Sequence, residues 1–335
     1  MQENRITAHF YVKITPVKIA IVKLSSLGDI IHALICCQWI EKAITGAEIH
    51  WIIDKRFREV VQYNPCIRKI HSLDFKAGLL PLLGQLQEIK KNSFDIVIDM
   101  QGLIRSALVS WKTGSNRHGF SFTSAREGVA SFFYNRCYKI DYRENIIIRN
   151  LKLACMSLDF PFSLDQIKNR KPCLFFTPRQ LEKAQSLLTP YAAKHIMLIP
   201  GVSTREREIG PRVYAEIINN IKAAFYLIWG NEKELTICRR IKKKAPAVKI
   251  MPRLTFNELT AFCSCCNLSF GPDTGPANIM FALNKKSLTV YWQKARNSAV
   301  RNTYVSDANR TLTFADLHNI NTAAVIEQLQ KLLVS

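Results

Sequence analysis

At 335 residues, with 48% hydrophobic and 22% charged side chains, the chain is long enough for two domains that each bury a core, and it is no disordered or low-complexity polymer. Lys and Arg outnumber Asp and Glu by 47 to 26, and the resulting net charge of +21 favours polyanionic partners without choosing among nucleic acid, anionic lipid and phosphorylated substrate. No apolar run is long enough to span a bilayer and residues 1–16 lack the apolar block of a secretory signal, so a cytoplasmic protein is expected.

In chain order, residues 17–24 read as a short apolar strand, Ser25-Ser26-Leu27-Gly28-Asp29 as a tight turn and 30–43 as an amphipathic helix. That is the opening β-turn-α of a Rossmann-like fold. Strands follow at 48–53 and 94–99, with helices near 79–91 and 103–111. A second series starts after Thr177-Pro178-Arg179 with a helix to 188, a strand at 195–199 and a turn at Pro200-Gly201. It continues through a strand at 223–229 ending at Gly230, a charged helix from Glu232, short strands at 248–251, 268–271 and 287–291, and a final amphipathic helix at 322–333. Strands alternating with helices predict an α/β protein of two doubly wound parallel sheets. The polar, proline-marked stretch 168–172 divides the chain into an extension (1–17), a first domain (18–175) and a second (176–335), whose last helix is a candidate to pack back on the first domain.

Ligands of such sheets bind beyond the carboxyl ends of the strands, so the strand-to-helix turns are the places to look for chemistry. In the first turn, Gly28 permits a tight backbone and Asp29 stands at the mouth of a helix, able either to cap the helix amides or to face a cleft. The glycine spacing of a dinucleotide-binding turn is missing, which argues against a hydride-transfer enzyme. Gly271-Pro272-Asp273-Thr274-Gly275-Pro276 offers amides and a hydroxyl at a helix start, suited to an anion or to a plain proline-marked cap. Ser203, Thr204 and Arg205 follow another strand, and Gly230 and Glu232 a further one; each set suits a nucleotide or an ordinary polar turn. In the first half, Gln101, Arg105, Arg117, Ser124 and Arg126 put cations and polar groups in loops that could clamp an acidic ligand, with His118 more in keeping with a structural role.

Ten cysteines, among them Cys36-Cys37 and Cys263-Ser264-Cys265-Cys266, lie in apolar segments with no paired metal-ligand spacing, so buried free thiols and no zinc site are expected. Lys242, Lys243 and Lys244, preceded by Arg239 and Arg240, read as a solvated helix face. No helix-turn-helix or aromatic RNA-binding signature accompanies the charge, so no nucleic-acid partner is expected.

Four segments carry a resemblance: Val22-Lys-Leu-Ser-Ser-Leu-Gly-Asp29-Ile-Ile, Asp95-Ile-Val-Ile-Asp-Met-Gln-Gly-Leu-Ile-Arg-Ser106, Ser124-Ala-Arg-Glu-Gly128 and Asp273-Thr-Gly275. With them the chain resembles glycosyltransferase family 9 from about Lys18 to its C-terminus, in particular the heptosyltransferase I branch of lipopolysaccharide synthesis. The resemblance implies a GT-B fold, an acceptor-binding first half and an ADP-heptose-binding second half. It also implies inverting transfer of L-glycero-D-manno-heptose to Kdo of Kdo-lipid A, with no metal or other cofactor, by an enzyme in peripheral contact with the cytoplasmic face of an anionic inner membrane. By motif, Asp29 would be the general base. Ser203, Thr204, Arg207, Gly230, Glu232, Asp273, Thr274 and Gly275 would hold the donor, and Ser26, Gly28, Gln101, Arg105, Ser124 and Arg126 the acceptor. The chain departs from the family pattern at Glu208, where a lysine is usual, and at Asn278, where a histidine is. Arg207 would then have to replace the missing cation. These departures keep open a donor-binding homologue weakened in turnover, beside the alternative of heptosyltransferase II-like transfer to a heptose; Ser124–Gly128 favours the first-heptose enzyme.

Overall fold

The computed structural model describes residues 16–202, 207–293, 301–303, 306–317 and 320–334. The first half runs β1 (Lys18–Val22), α1 (Leu27–Ala43), β2 (Glu48–Asp54), α2 (Arg58–Val61), β3 (Ile67–Leu73), α3 (Leu79–Lys90), β4 (Ile96–Asp99), α4 (Ile104–Thr113), β5 (Arg117–Phe120), β6 (Arg136–Tyr138), α5 (Ile146–Leu158) and α6 (Leu164–Lys168). The second runs α7 (Pro178–Ser186), β7 (His195–Leu198), α8 (Pro211–Asn220), β8 (Ala224–Leu227), α9 (Glu232–Lys244), β9 (Lys249–Ile250), α10 (Phe256–Cys265), β10 (Leu268–Pro272), α11 (Gly275–Ala282), β11 (Lys286–Trp292) and β12 (Asn309–Phe314), followed by a C-terminal helix, Thr322–Val334.

Both sheets are parallel, with the orders β3-β2-β1-β4-β5-β6 and β9-β8-β7-β10-β11-β12. The two halves therefore repeat one doubly wound topology. In each, the strand order reverses beside the first strand, between β1 and β4 and between β7 and β10, where a parallel sheet opens a crevice for ligand. The fold is the expected α/β GT-B arrangement, and the anticipated 175/176 division falls in the segment between the two sheets.

The central strands are apolar on both faces, as helix-covered parallel strands must be: Ile19, Ala20, Ile21 and Val22 are all fully buried. Helix α1, expected to be amphipathic, is instead enclosed almost all round, because it lies under β1 with α5 on one flank and α11 of the other half on the next. One apolar cluster accordingly runs across both halves, from Ile19, Ile30 and Leu34 to Met197, Phe262 and Phe281. The connecting segment fastens the same seam. Arg170 donates to the Phe281 carbonyl at 2.6 Å and lies over its ring, Cys173 N donates to Ala282 O at 3.0 Å, and Asn64 Nδ2 reaches Cys173 O at 2.9 Å.

Four strands, β3, β5, β6 and β12, escape the sequence reading. Arg117-His118-Gly119, read as loop, is β5, paired to β4 and β6; it is too short and too mixed in polarity to show a strand pattern. In the C-terminal helix, Val325, Leu329 and Leu332 join the second half's core, against α8 and β11. The cysteines are free, and seven of the ten are buried.

Where β7 and β10 part, the strands come very close at Gly271. A Cβ there would lie 2.4 Å from the Ile199 carbonyl oxygen, and backbone cannot swing aside. Gly271→Ala is expected to lower stability by about 1–3 kcal/mol, seen as an earlier chemical denaturation midpoint with unchanged slope.

Candidate functional site

Both crevices open into one cleft of about 1320 Å³ between the halves. From the first half it takes the β1–α1 turn, with Ser26, Gly28 and Asp29. From the second it takes the β10–α11 turn, with Asp273, Thr274 and Gly275, and the β8–α9 turn, with Gly230 and Glu232. The two helix starts touch. A Cβ on Gly275 would lie 2.5 Å from Leu27 Cδ2, and one on Gly28 would lie 3.0 Å from Asn278 Nδ2. Glycine at these positions lets the N-terminal turns of α1 and α11 abut, so both helix dipoles present their positive ends to one space.

Asp29 is the third residue of α1. Its Oδ2 accepts from Ser26 Oγ at 2.8 Å and from Ser26 N at 3.3 Å, so it caps the helix while also lining the cleft. Burial alone would raise its pKa. The Lys23 ammonium and the Ser26 hydrogen bonds outweigh that and hold the carboxyl below its ordinary value, so it is ionised at neutral pH. Lys23 is itself buried below the turn, donating to Met100 O at 2.8 Å. One turn further along α1, His32 also lines the cleft; burial lowers its pKa to about 4, leaving a neutral ring hydrogen-bonded to Asn278. His32 is not among the residues singled out from the sequence, although its spacing of three from Asp29 along a helix puts both on one face.

In the second half, Thr274 is the N-cap of α11 with its backbone extended and its hydroxyl 3.4 Å from Pro272 O. No side chain caps the start of α11, where Gly275 at the cleft wall carries an amide and Pro276 after it has none. Asn278, at the position where the family pattern has histidine, donates Nδ2 to Thr274 O at 2.9 Å and steadies this turn. Burial raises the Asp273 pKa to about 6; Asn302 and Arg207 oppose the rise and Asp29 adds to it. Arg207 thus lies close enough to act on Asp273, though off the cleft wall, while Glu208 lines it. Ser203 and Thr204 lie outside the described residues. At the β8–α9 turn, Gly230 N donates to Glu234 Oε2 at 2.7 Å and Asn231 Nδ2 to Oε1 at 2.9 Å, which makes Glu234 the organiser of a turn for which Glu232 alone had been singled out.

Four expected acceptor residues stand off the cleft wall. Gln101 accepts from Leu24 N at 2.7 Å and Ser25 N at 3.2 Å, so its carbonyl clasps the β1–α1 turn instead of facing a ligand. Ser124 is buried; its hydroxyl accepts from Ile140 N at 2.9 Å and Ser121 Oγ at 3.0 Å, and its carbonyl receives Arg149. It therefore holds a loop together and does not touch the cleft. Arg105 and Arg126 are exposed on the first half, Arg105 over the Phe75 ring. His118 is packed between Asn116 and Tyr138, in line with a structural role.

The charge of the wall is opposite to that of the whole chain. Asp29, Glu208, Glu232, Glu234 and Asp273 line the cleft against Lys233 as the sole Lys or Arg of the described lining. Arg207 acts on Asp273 from outside the described lining, so among the described residues no Arg lines the cleft. The remaining positive potential comes from backbone amides at the starts of α1 and α11.

The profile of glycosyltransferase family 9 (heptosyltransferase) matches residues 84–305. A lipopolysaccharide heptosyltransferase 1 of Campylobacter coli is 30% identical over 308 residues, covering 88% of this chain and 89% of the relative. The lipopolysaccharide heptosyltransferase 1 of Escherichia coli K12 is 25% identical over 334 residues, covering 94% and 100%. The solved structure of E. coli heptosyltransferase WaaC with ADP superposes with a TM-score of 0.80 at 20% identity, covering 94% of this chain and 100% of that one, and speaks for the fold.

Asp273 offers a test of the cleft's electrostatics. Its folded pKa lies above its ordinary value, so the native state binds the proton more tightly and stability is lost as pH rises from 3.8 to about 6, with the deficit constant above that. Asp273→Asn should therefore raise the calorimetric Tm at neutral pH, with the gain fading as pH falls from about 6 to 4. A gain of the same size throughout would contradict the assignment.

Proposed function

The chain belongs to glycosyltransferase family 9, the heptosyltransferase family, and from that premise we propose an inverting enzyme that moves L-glycero-D-manno-heptose from ADP-heptose to Kdo of Kdo-lipid A. The first half takes the acceptor and the second the donor. The observation that carries this reading is Asp29: an ionised carboxylate at the helix start of one half, set against the amide-bearing helix start of the other across a single cleft.

The chemistry follows from that opposition. An acceptor hydroxyl beside Asp29 gives its proton to the carboxylate as its oxygen attacks the anomeric carbon. The bond from that carbon to the donor's phosphate oxygen breaks on the opposite face, so configuration inverts and ADP departs with the electron pair. The first amides of α11, Thr274, Arg207 and the Ser203-Thr204 pair stabilise the charge that develops on the diphosphate. Gly230 and Glu232 border the adenosine end, and Asp273 and Gly275 shape the turn beneath the phosphates. Ser26 and Gly28 keep the acceptor side close to Asp29, while Arg105 and Arg126 meet the acceptor's acid groups; Gln101 and Ser124 serve this side by holding its loops in place. We assign the reaction no metal or other cofactor, and the enzyme a peripheral position on the cytoplasmic face of the inner membrane.

Glu208 favours a second reading, a homologue that binds donor with little turnover, because an anion on the cleft wall opposes a diphosphate. Assays with ADP-heptose and Kdo-lipid A in the presence of a chelator separate the two. Transfer by the wild type, followed by ADP release and acceptor mass, supports the enzyme; ADP binding without transfer supports the alternative. Asp29→Asn is expected to lower the transfer rate about 10²–10⁴-fold while leaving ADP affinity within a factor of a few, as removal of a general base requires. Glu208→Lys replaces a repulsion with a charge-assisted hydrogen bond and is expected to tighten ADP binding about tenfold, measured by calorimetry.

A further inference from the structure

Helix α4 turns more apolar bulk outward than inward. Its buried side carries Ser106, Ala107, Val109, Ser110 and Thr113, with Ser110 and Thr113 hydroxyls donating to carbonyls one turn back. Its outward side carries Ile104, Leu108 and Trp111, the last 48% exposed. A helix normally turns its large apolar residues to the core, so this stripe calls for a covering outside the chain.

The stripe does not stand alone. The 3-10 turn Gly128–Phe133 packs on α4, bringing Phe133 edge-on to Trp111 at 6.3 Å and leaving Phe132 78% exposed beside Phe122 at 6.1 Å. On the other flank, α3 packs against α4 and opens with Leu80 at 80% exposure. Cations are threaded through this surface: Lys76, Arg105, Lys112 and Arg126 are exposed and in no ion pair among the described residues, with Lys112 Nζ 4.3 Å from the Trp111 ring centre. The nearby carboxylate of Glu127 is engaged in accepting from Ile104 N at 2.7 Å.

We propose that the outward face of α4, with the 3-10 turn Gly128–Phe133 and the start of α3, is the surface by which this protein docks on an anionic phospholipid bilayer. Aromatic and aliphatic side chains ringed by Lys and Arg match the two layers of such a membrane, acyl boundary and anionic headgroup. A second copy of the chain fits less well, since a two-fold contact through this face would set its cations against themselves. No helix among the described residues is long and apolar enough to cross a membrane, so a face that inserts partway is the contact the fold offers. The place is apt. Strands β4 and β1 are neighbours, so α4 and α1 leave the same edge of the sheet, and Gln101 ties their turns together. A lipid-borne sugar would thus be delivered to the side on which Asp29 opens; this orientation rests on the acceptor proposed above.

The test is sedimentation of the full chain with vesicles of phosphatidylcholine alone and of phosphatidylcholine mixed with phosphatidylglycerol, without nucleotide or acceptor. The wild type should bind the mixed vesicles, more weakly as salt rises. The triple variant Leu108→Ser, Trp111→Ser, Phe132→Ser should lose about tenfold or more in partitioning with an unchanged Tm, while Tyr191→Ser, exposed on the second half, should bind as wild type. Transfer to a deacylated, water-soluble acceptor should survive in the triple variant. Undiminished vesicle binding by the triple variant would overturn the proposal, as would a wild-type dimer in analytical ultracentrifugation that the triple variant turns to monomer. Absence of transfer in every protein, with the vesicle results as expected, would count against the enzymatic reading and leave the docking surface standing.

Discussion

The contact between the first turns of α1 and α11 is the constraint on which the cleft depends. Leu27 sits where a side chain on Gly275 would be, and Asn278 where one on Gly28 would be, so each helix start is shaped to receive the other. Because α1 is sheathed by β1, α5 and α11, it cannot turn or slide without disturbing the core of both halves. Arg170 closes the opposite end of α11, its guanidinium on the Phe281 carbonyl where the helix dipole is negative. Asp29 and the amides of α11 thus face one space because two helices are locked together beneath them.

The doubly wound fold was legible because it is written in local pattern: short apolar runs alternating with helices, several of them ended by a glycine-bearing turn. Asp29 and Thr274-Gly275 were legible for the same reason, since they sit at turns whose position follows from the strand before them. What escaped depends on contacts between residues far apart in the chain. Ser124 carries the polarity of a ligand-binding group, yet its hydroxyl serves Ile140 N and its carbonyl Arg149. Gln101 looks like an acceptor contact but clasps a backbone 76 and 77 positions away. His32 acts through Asn278, far away in the chain, although its spacing from Asp29 was visible; Glu234 is the exception, bonded to Gly230 and Asn231 of its own turn and readable as the carboxylate three residues after an Asn cap. The missed strands β5 and β6 have four and three residues, too few for any period to register.

Global and local charge point in opposite directions here. A net charge of +21 acts at a distance, drawing anions toward the molecule, and salt screens it within roughly 10 Å. Inside the cleft, the carboxylates of Asp29, Glu208, Glu232, Glu234 and Asp273 set the field, tempered by Lys23 below and Arg207 behind. Fixed amide dipoles can still hold an anion in such surroundings, because they keep their direction as charge moves and cost no reorganisation. The neutral Asn278 belongs to this pattern: it positions the α11 turn through Thr274 O and adds no charge of its own.

The apolar cluster shared by the halves also bears on how the chain can be taken apart. A Rossmann-like unit ordinarily owns its core and can be excised or traded between proteins as a module. Here the residues that would be left bare by a cut near 175 include the flank of α1 that meets Phe281, together with the connecting strand of chain that hangs on Ala282 and Asn64. Each half is a template for the other's surface. Chimaeras that keep one half and borrow the other from a relative must therefore carry the matching α1 and α11 as a pair.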